Sequence, residues 1–149
     1  MHIPAKVEYG LRALLALAAD QPRTAESLAA EQDLPVRFLS AILADLRRGG
    51  LVTSRRGAEG GYHLAKEAEE ISLADAIRVL DGPLAEVRGM RPEATSYLGA
   101  AVHLQEVWVA VRASLRSVLE QVTLADVLSG SFPKSVAGLT ADPDAWQAR

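Results

Sequence analysis

The sequence predicts a mainly α-helical fold broken by one two-stranded hairpin. Three observations predict it. Alanine, leucine and valine dominate a 149-residue chain in which aromatics make up only 5%. Apolar residues recur at three- and four-residue steps through most of the length, which is the helical period. The stretch Gly49-Gly50-Leu51-Val52-Thr53-Ser54-Arg55-Arg56-Gly57-Ala58-Glu59-Gly60-Gly61-Tyr62-His63-Leu64 abandons that period. It reads as a helix stop, a short strand, a glycine-hinged turn and a second short strand.

Each element has its own warrant. A first helix over about residues 4–19 carries apolar positions 7, 11, 14, 15 and 18 on one face. Arg12 and Glu8 within it argue against a cleaved signal peptide, so the chain is expected to be cytoplasmic. Thr24 is placed as the N-cap of a short helix over about 25–32. Asp33-Leu34-Pro35 makes a tight turn, with Pro35 in the first turn of a third helix where its missing N–H costs little. That helix stops at Gly49-Gly50. Two helices joined by so short a turn have helix-turn-helix spacing. Strands near 51–56 and 62–65 follow, joined by a loop at 57–61.

Further along, Ser72-Leu73-Ala74-Asp75 and Thr123-Leu124-Ala125-Asp126 are near-identical helix starts, a hydroxyl cap with an acid three residues on. The first opens a helix ending at Asp81-Gly82-Pro83. The second opens a short final helix ending near Ser129-Gly130. Between them the sequence predicts a loose stretch over 82–96 and a long helix over 97–122. Ala101, Leu104, Trp108, Val111, Leu115, Val118 and Val122 follow an unbroken 3-4-3-4 spacing there, a coiled-coil seam. Val102, Val109 and Leu119 widen it to a second flank, one more than a small domain needs for itself. A homodimer through Leu104, Trp108, Val111, Leu115, Val118 and Val122 is therefore expected. The expected division is a head over 1–80, a linker over 81–96, a dimerisation helix with the short final helix over 97–130, and a flexible tail over 131–149.

Charge locates the working surface. The chain carries a net −3, yet residues 35–66 hold Arg37, Arg47, Arg48, Arg55, Arg56 and Lys66 against Asp45 and Glu59, a local +4. A basic island in an acidic protein is a footprint for a polyanion. The third helix turns Val36, Leu39, Ile42, Leu43 and Leu46 inward and presents Arg37, Ser40, Ala41, Ala44 and Arg48 outward. Small side chains allow close approach to a major groove, and Arg37 and Ser40 lie where base edges are reached. Arg47 and Arg48 suit phosphates. On the hairpin, Arg56 is expected in a narrow minor groove and Arg55 on a phosphate. The glycine loop is no nucleotide-phosphate loop, since no Lys-Ser/Thr pair follows and a strand, not a helix, comes next. A helix-turn-helix followed by a basic hairpin is a winged helix-turn-helix, and the expected partner is double-stranded DNA.

Glu8-Tyr9-Gly10-Leu11-Arg12-Ala13-Leu14, Leu46-Arg47-Arg48-Gly49-Gly50-Leu51-Val52-Thr53-Ser54, Arg56-Gly57 with Gly60-Gly61-Tyr62, and Thr123-Leu124-Ala125-Asp126 together resemble the Rrf2 family of winged-helix regulators, typified by IscR, NsrR and CymR. The resemblance runs over about residues 2–130 in order. It implies a homodimer that binds pseudo-palindromic DNA and represses transcription. Thr24, Gly60 and Gly61 join the expected DNA-contacting set, and by the same resemblance positions 37 and 40 touch bases and Arg56 enters the minor groove. Many members hold an iron–sulfur cluster on three cysteines, sometimes aided by a histidine. The resemblance places the last cysteine at Val102 and the histidine at Gln105. This chain has no cysteine, so no conventional cluster and no cofactor is expected. Glu8, Glu86, Glu93 and His103 are the donors left for an oxygen-and-nitrogen site. The expected control is an unidentified small molecule or protein. The competing reading is a protein–protein module on the same fold. No nucleophile–base pair or carboxylate signature points to an enzyme.

Overall fold

Residues Ala5–Ala19 fold into α1, burying Val7, Ala13, Leu14 and Leu17. This is the central strut against which the other elements pack. The computed structural model describes residues 1–148. Gly10 belongs to α1's buried face, and a Cβ there would lie 2.3 Å from Leu80 and 3.3 Å from Ile42. A side chain there would displace the tip of Leu80, so glycine lets α1 pack closely on the segments carrying Leu80 and Ile42.

Helix α2 (Ala25–Glu31) starts on Thr24, whose side chain accepts from the Ser27 amide. Helix α3 (Val36–Arg48) buries Leu39, Ile42, Leu43 and Leu46. The turn between them is fixed by a paired hydrogen-bond motif. Asp33 sits at φ 53°, with its N–H on Ala30 O at 3.2 Å and the Leu34 N–H on Ala29 O at 2.9 Å. The same motif ends α3: Gly50 lies at φ 73°, with Gly50 N–H on Arg47 O and Leu51 N–H on Leu46 O. Buried Leu51 supplies the apolar contact that accompanies such a stop. The helix-turn-helix turn and the exit to the hairpin are thus set by backbone hydrogen bonds and need none of α3's outer side chains.

Strands β1 (Val52–Arg55) and β2 (Gly61–Leu64) pair antiparallel, Val52 opposite Leu64 and Arg55 opposite Gly61. Helix α4 (Leu73–Asp81) buries Ala74, Ala76, Ile77 and Leu80. Ser72 and Asp75 form the predicted capping box, as do Thr123 and Asp126 at α6 (Leu124–Ser129). These two helix starts lie back to back. Ser72 bridges Thr123, the Leu73 amide donates to Val122 O at 2.9 Å, and the Leu124 amide donates to Ile71 O at 3.0 Å.

Three features differ from the sequence expectation. The long helix, α5, spans Leu104–Leu119 rather than 97–122. Leu98 is extended and Gly99 lies at φ 60°, so residues 99–101 make a separate 3-10 turn that carries Ala101 off the seam. The short final helix, expected to go with the long helix over 97–130, packs on the head instead: Leu124 is fully buried in the core with α1. The stretch from residue 131 onward, expected to be flexible, forms α7 (Lys134–Ala141) and a 3-10 turn at Pro143–Trp146. Ser135 donates to Gln121 at 2.8 Å and the Trp146 indole to Thr140 O at 2.9 Å. Residue 149 of that expected tail lies outside the described residues.

Candidate nucleic-acid interface

Helix α3 and the hairpin present one surface. On α3, Arg37 and Ala41 are exposed and Ser40 and Ala44 half-buried, because the opposite face carries the four core leucine and isoleucine side chains. Val36, expected to face inward, is 39% exposed at the helix start. Phe38 stands at the helix edge against Tyr9, ring centroids 5.9 Å apart and edge-to-face.

The basic residues divide by what already holds them. Arg37, Arg55 and Arg56 are exposed and make no side-chain hydrogen bond or ion pair among the described residues. Arg47 donates to Ser54 at 3.2 Å, tying the end of α3 to β1. Arg48 pairs with Asp45, which also meets Lys6 at 2.6 Å. The Asp45 carboxyl is held below its ordinary range, first by the hydrogen bond from Lys6 and then by the Lys6 and Arg48 charges, against an opposing loss of solvation. Thr24 is exposed, but its hydroxyl is engaged as the α2 cap.

Residues that sequence reasoning missed hold the hairpin in place. Arg23 and Tyr62 exchange backbone hydrogen bonds at 2.8 and 3.2 Å, making residue 23 a third-strand position beside β2. The Arg23 guanidinium then reaches Ser27 at 2.9 Å and Glu31 at 2.7 Å. The four-residue steps 23, 27, 31 were the available signal. Gln21 accepts from the Leu64 amide at 2.8 Å. Gly61, at φ 133°, would place a Cβ 2.9 Å from Arg23 O, so this glycine is required by the hairpin's own anchoring. Gly60 is similarly hemmed in by Arg55 O and Gly57 O. An anchored hairpin with unpaired guanidinium groups at its turn is a rigid carrier of positive charge.

The seam residues of α5 are only partly covered by their own chain. Leu104, Trp108, Leu115 and Val118 are half-buried, and Val111 is 44% exposed. Trp108, Val111 and Leu115 wall an open cavity of about 720 Å³ shared with Ile77 and Leu84 of the same chain. Val122 is 3% exposed inside its own protomer, because the α4–α6 junction takes it up, and it is withdrawn from the seam. Val107, one turn before Val111 and 50% exposed, extends the apolar face and was missed. Its i, i+4 spacing to Val111 was the signal.

The loop before α5 is strapped down by polar contacts. Gln105 donates to Glu93 O at 3.0 Å and to Thr95 O, and Arg112 pairs with Glu93. The Trp108 indole donates to Tyr97 at 3.1 Å. Glu93 is held below its ordinary range by its own backbone N–H and by Arg112, and Glu120 by hydrogen bonds from Arg78 and Arg116. A thiolate cluster does not fit these residues. The chain has no cysteine, and no group of three His, Asp or Glu side chains gathers to hold a metal among the described residues. Glu8 faces Arg12, Glu93 is taken by Arg112, and His103 lies 3.2 Å from Glu106. No helix is long and apolar enough to cross a membrane among the described residues.

A helix-turn-helix followed by an anchored, arginine-bearing hairpin defines a winged-helix DNA-binding regulator. Residues 3–130 match the model of the Rrf2 family, described as an iron-dependent transcriptional regulator. The chain belongs to that family. It is 48% identical over 145 residues to Rv1287 of Mycobacterium tuberculosis, provisionally named an HTH-type transcriptional regulator, covering 95% of this chain and 90% of that one. It is 35% identical over 132 residues to the HTH-type transcriptional regulator CymR of Bacillus subtilis, covering 87% and 91%. The fold superposes on the solved structure of CymR (YrzC), the global cysteine regulator of B. subtilis, at TM-score 0.73 with 34% identity, covering 88% and 98%. It superposes on T. potens IscR at TM-score 0.69 with 32% identity, covering 100% and 93%. The chain is a transcriptional regulator, not an enzyme.

Proposed function

We propose that the protein is a homodimeric, sequence-specific repressor that works without an iron–sulfur cluster and is released by a small effector. The observation that carries this reading is the division of the arginines. Arg37 on the outer face of α3 and Arg55 and Arg56 at the wing turn are unpaired among the described residues and exposed, on a surface whose inner side is fully packed, whereas Arg47 and Arg48 are engaged. Arg37, Ser40 and Ala41 enter the major groove, with Arg37 suited to guanine O6 and N7. Arg56 inserts into the minor groove beside the wing, and Arg55 and Thr24 meet phosphates. Gly60 and Gly61 bring the wing backbone close to the strand. Arg47 and Arg48 reach phosphates only by exchanging Ser54 and Asp45 for them, so their contribution is smaller than that of the unpaired three.

The second subunit follows from α5. It buries none of its residues, and Val107 and Val111 leave apolar surface open beside Leu104, Trp108, Leu115 and Val118. A second copy of α5 covers that face, and two heads then meet two half-sites about one helical turn apart or a multiple of it. The test is a footprint on genomic DNA paired with sedimentation of the same preparation. Two protected half-sites and a dimeric mass are expected. A single protected half-site from a monomer overturns the reading.

A further inference from the structure

A second group of arginines lies away from the DNA-facing surface. A cavity of about 470 Å³ opens between the end of α4, residues 82–85 of the loop, and α5. Small-molecule sites commonly measure roughly 300–1,000 Å³. Arg78, Arg91, Arg112 and Arg116 line it, against the single lining carboxylate Glu93. The lining itself sums to +3, and to +1 with Glu120 and Asp75, which meet these arginines from outside it, in a segment, residues 67–149, whose own sum is −5.

The donors outnumber the acceptors. Arg112 is met by Glu93, while Arg78 and Arg116 converge on one oxygen of Glu120, the latter at 3.0 Å. Arg78 also lies 3.9 Å from Asp75. Arg91 makes no side-chain hydrogen bond or ion pair within 4.0 Å among the described residues, and its charge acts on Glu93 from farther off. A guanidinium presents five N–H groups in a fork that fits two carboxylate or phosphate oxygens at once. Two forks crowded on one oxygen, plus a third that donates no hydrogen bond among the described residues, leave acceptor positions for a ligand to fill.

We infer that this cavity binds a small organic anion of charge two or three, a polycarboxylate or a phosphate ester, and that this is the effector site. The entering anion competes with Glu93 for Arg112 and with Glu120 for Arg78 and Arg116, and Arg91 closes on its open side. Both displaced carboxylates are fasteners. Glu93 holds the loop to α5, and Glu120 holds α5 to α4. Helix α4 in turn packs through Val79 against Gly49 at the end of α3, where a Cβ would come within 2.5 Å. Occupancy therefore changes how the arm sits on the head, and with it the spacing of two heads. This last step rests on the DNA-binding reading above; the binding of the anion does not.

Calorimetric titration of the full-length protein with citrate and with inorganic phosphate, at constant ionic strength set by chloride, tests it. Saturable binding of one anion per protomer is expected. Arg91→Ala, which removes no hydrogen bond or close ion pair of the fold among the described residues, should weaken it by at least about tenfold, the value of one charge-assisted hydrogen bond. Arg112→Gln should do the same, and Arg56→Ala should leave it unchanged. A site for either anion that Arg56→Ala abolishes and Arg91→Ala spares overturns the inference, as does no binding of citrate or phosphate beyond that of chloride. Footprinting with and without citrate then reads the coupling. DNA affinity should shift in the unsubstituted protein and stay fixed in Arg91→Ala; an equal shift in both overturns the effector role. Anion binding by a protein that protects no DNA leaves the site standing and removes the repressor reading instead.

Discussion

Helices α3 and α5 are both amphipathic, and they meet opposite fates. α3, 13 residues long, buries Leu39, Ile42, Leu43 and Leu46 in its own protomer. α5, 16 residues long with a longer apolar stripe, buries nothing. A satisfied apolar face makes a helix a fixed mount, so the outward residues of α3 are held in place for an external partner. An unsatisfied apolar face makes the helix itself a contact surface, because exposed contiguous apolar area marks an interaction site. The polar faces differ in the same sense. Arg37 on α3 is unpaired, while Arg112 and Arg116 on α5 are each matched to a carboxylate.

Substitutions on the two helices sharpen this contrast. The largest effect is expected from Val107→Glu combined with Val111→Glu. Charge at the open face of α5 should give a monomer by sedimentation with unchanged far-ultraviolet dichroism. DNA affinity should fall by two to four orders of magnitude, roughly the gain that linking two binding modules supplies. A variant that stays dimeric breaks the comparison. Next comes Leu43→Ala on α3, which removes fully buried volume and should cost about 2–5 kcal/mol in denaturant unfolding. Val111→Ala on α5 should cost the protomer under about 1 kcal/mol, since half its surface is already in water. Equal costs at the two positions would mean that α5 is packed as tightly as α3.

Smaller again are the head arginines. Arg37→Ala and Arg56→Ala should each lose about 1–3 kcal/mol of DNA affinity, the first relaxing base preference and the second acting where the minor groove is narrow. Arg55→Ala should weaken all sequences alike and flatten the salt slope by about one ion. The smallest effect is acid sensitivity. Asp45, Glu93 and Glu120 have lowered folded-state values. Their contribution is complete at neutral pH, begins to fade below the ordinary carboxylate range and is lost as pH falls through the lowered values. Melting temperature followed from pH 7 downward should therefore drop less steeply in Glu93→Gln than in the unsubstituted protein.

The head was legible in the sequence because its signals are local. Helical spacing, the Thr24, Ser72 and Thr123 caps, and the glycine stop after Arg48 each act within a few residues. What stayed hidden was settled by distant contacts or by a single backbone angle. The left-handed conformation of Gly99 shortened α5, and no periodicity reveals it. The docking of α6 depends on hydrogen bonds between residues 71–73 and 122–124, far apart in sequence. Helix α7 carries Gly138 and no buried side chain, so its pattern gave no stripe to read. Among the site residues, the outward set on α3 followed from its period. The occupation of Arg48 by Asp45, and the anchoring of the hairpin through Arg23, required the folded surface.

The junction of the α4 and α6 starts has a consequence for chain entropy. Residues 82–121 leave the head and return to it, and only Leu84, Pro92 and Thr95 of them are buried. The hydrogen bonds at Leu73 and Leu124 act as a clasp that closes a loop of about fifty residues. Such a closure costs roughly 3–4 kcal/mol by the logarithmic dependence on loop length. Little inside the loop offsets that cost in a lone protomer, whereas the core leucines beneath the clasp do. Amide hydrogens at the clasp should accordingly exchange slowly and those of α5 quickly in a lone protomer, and the proposed second subunit is expected to slow the latter.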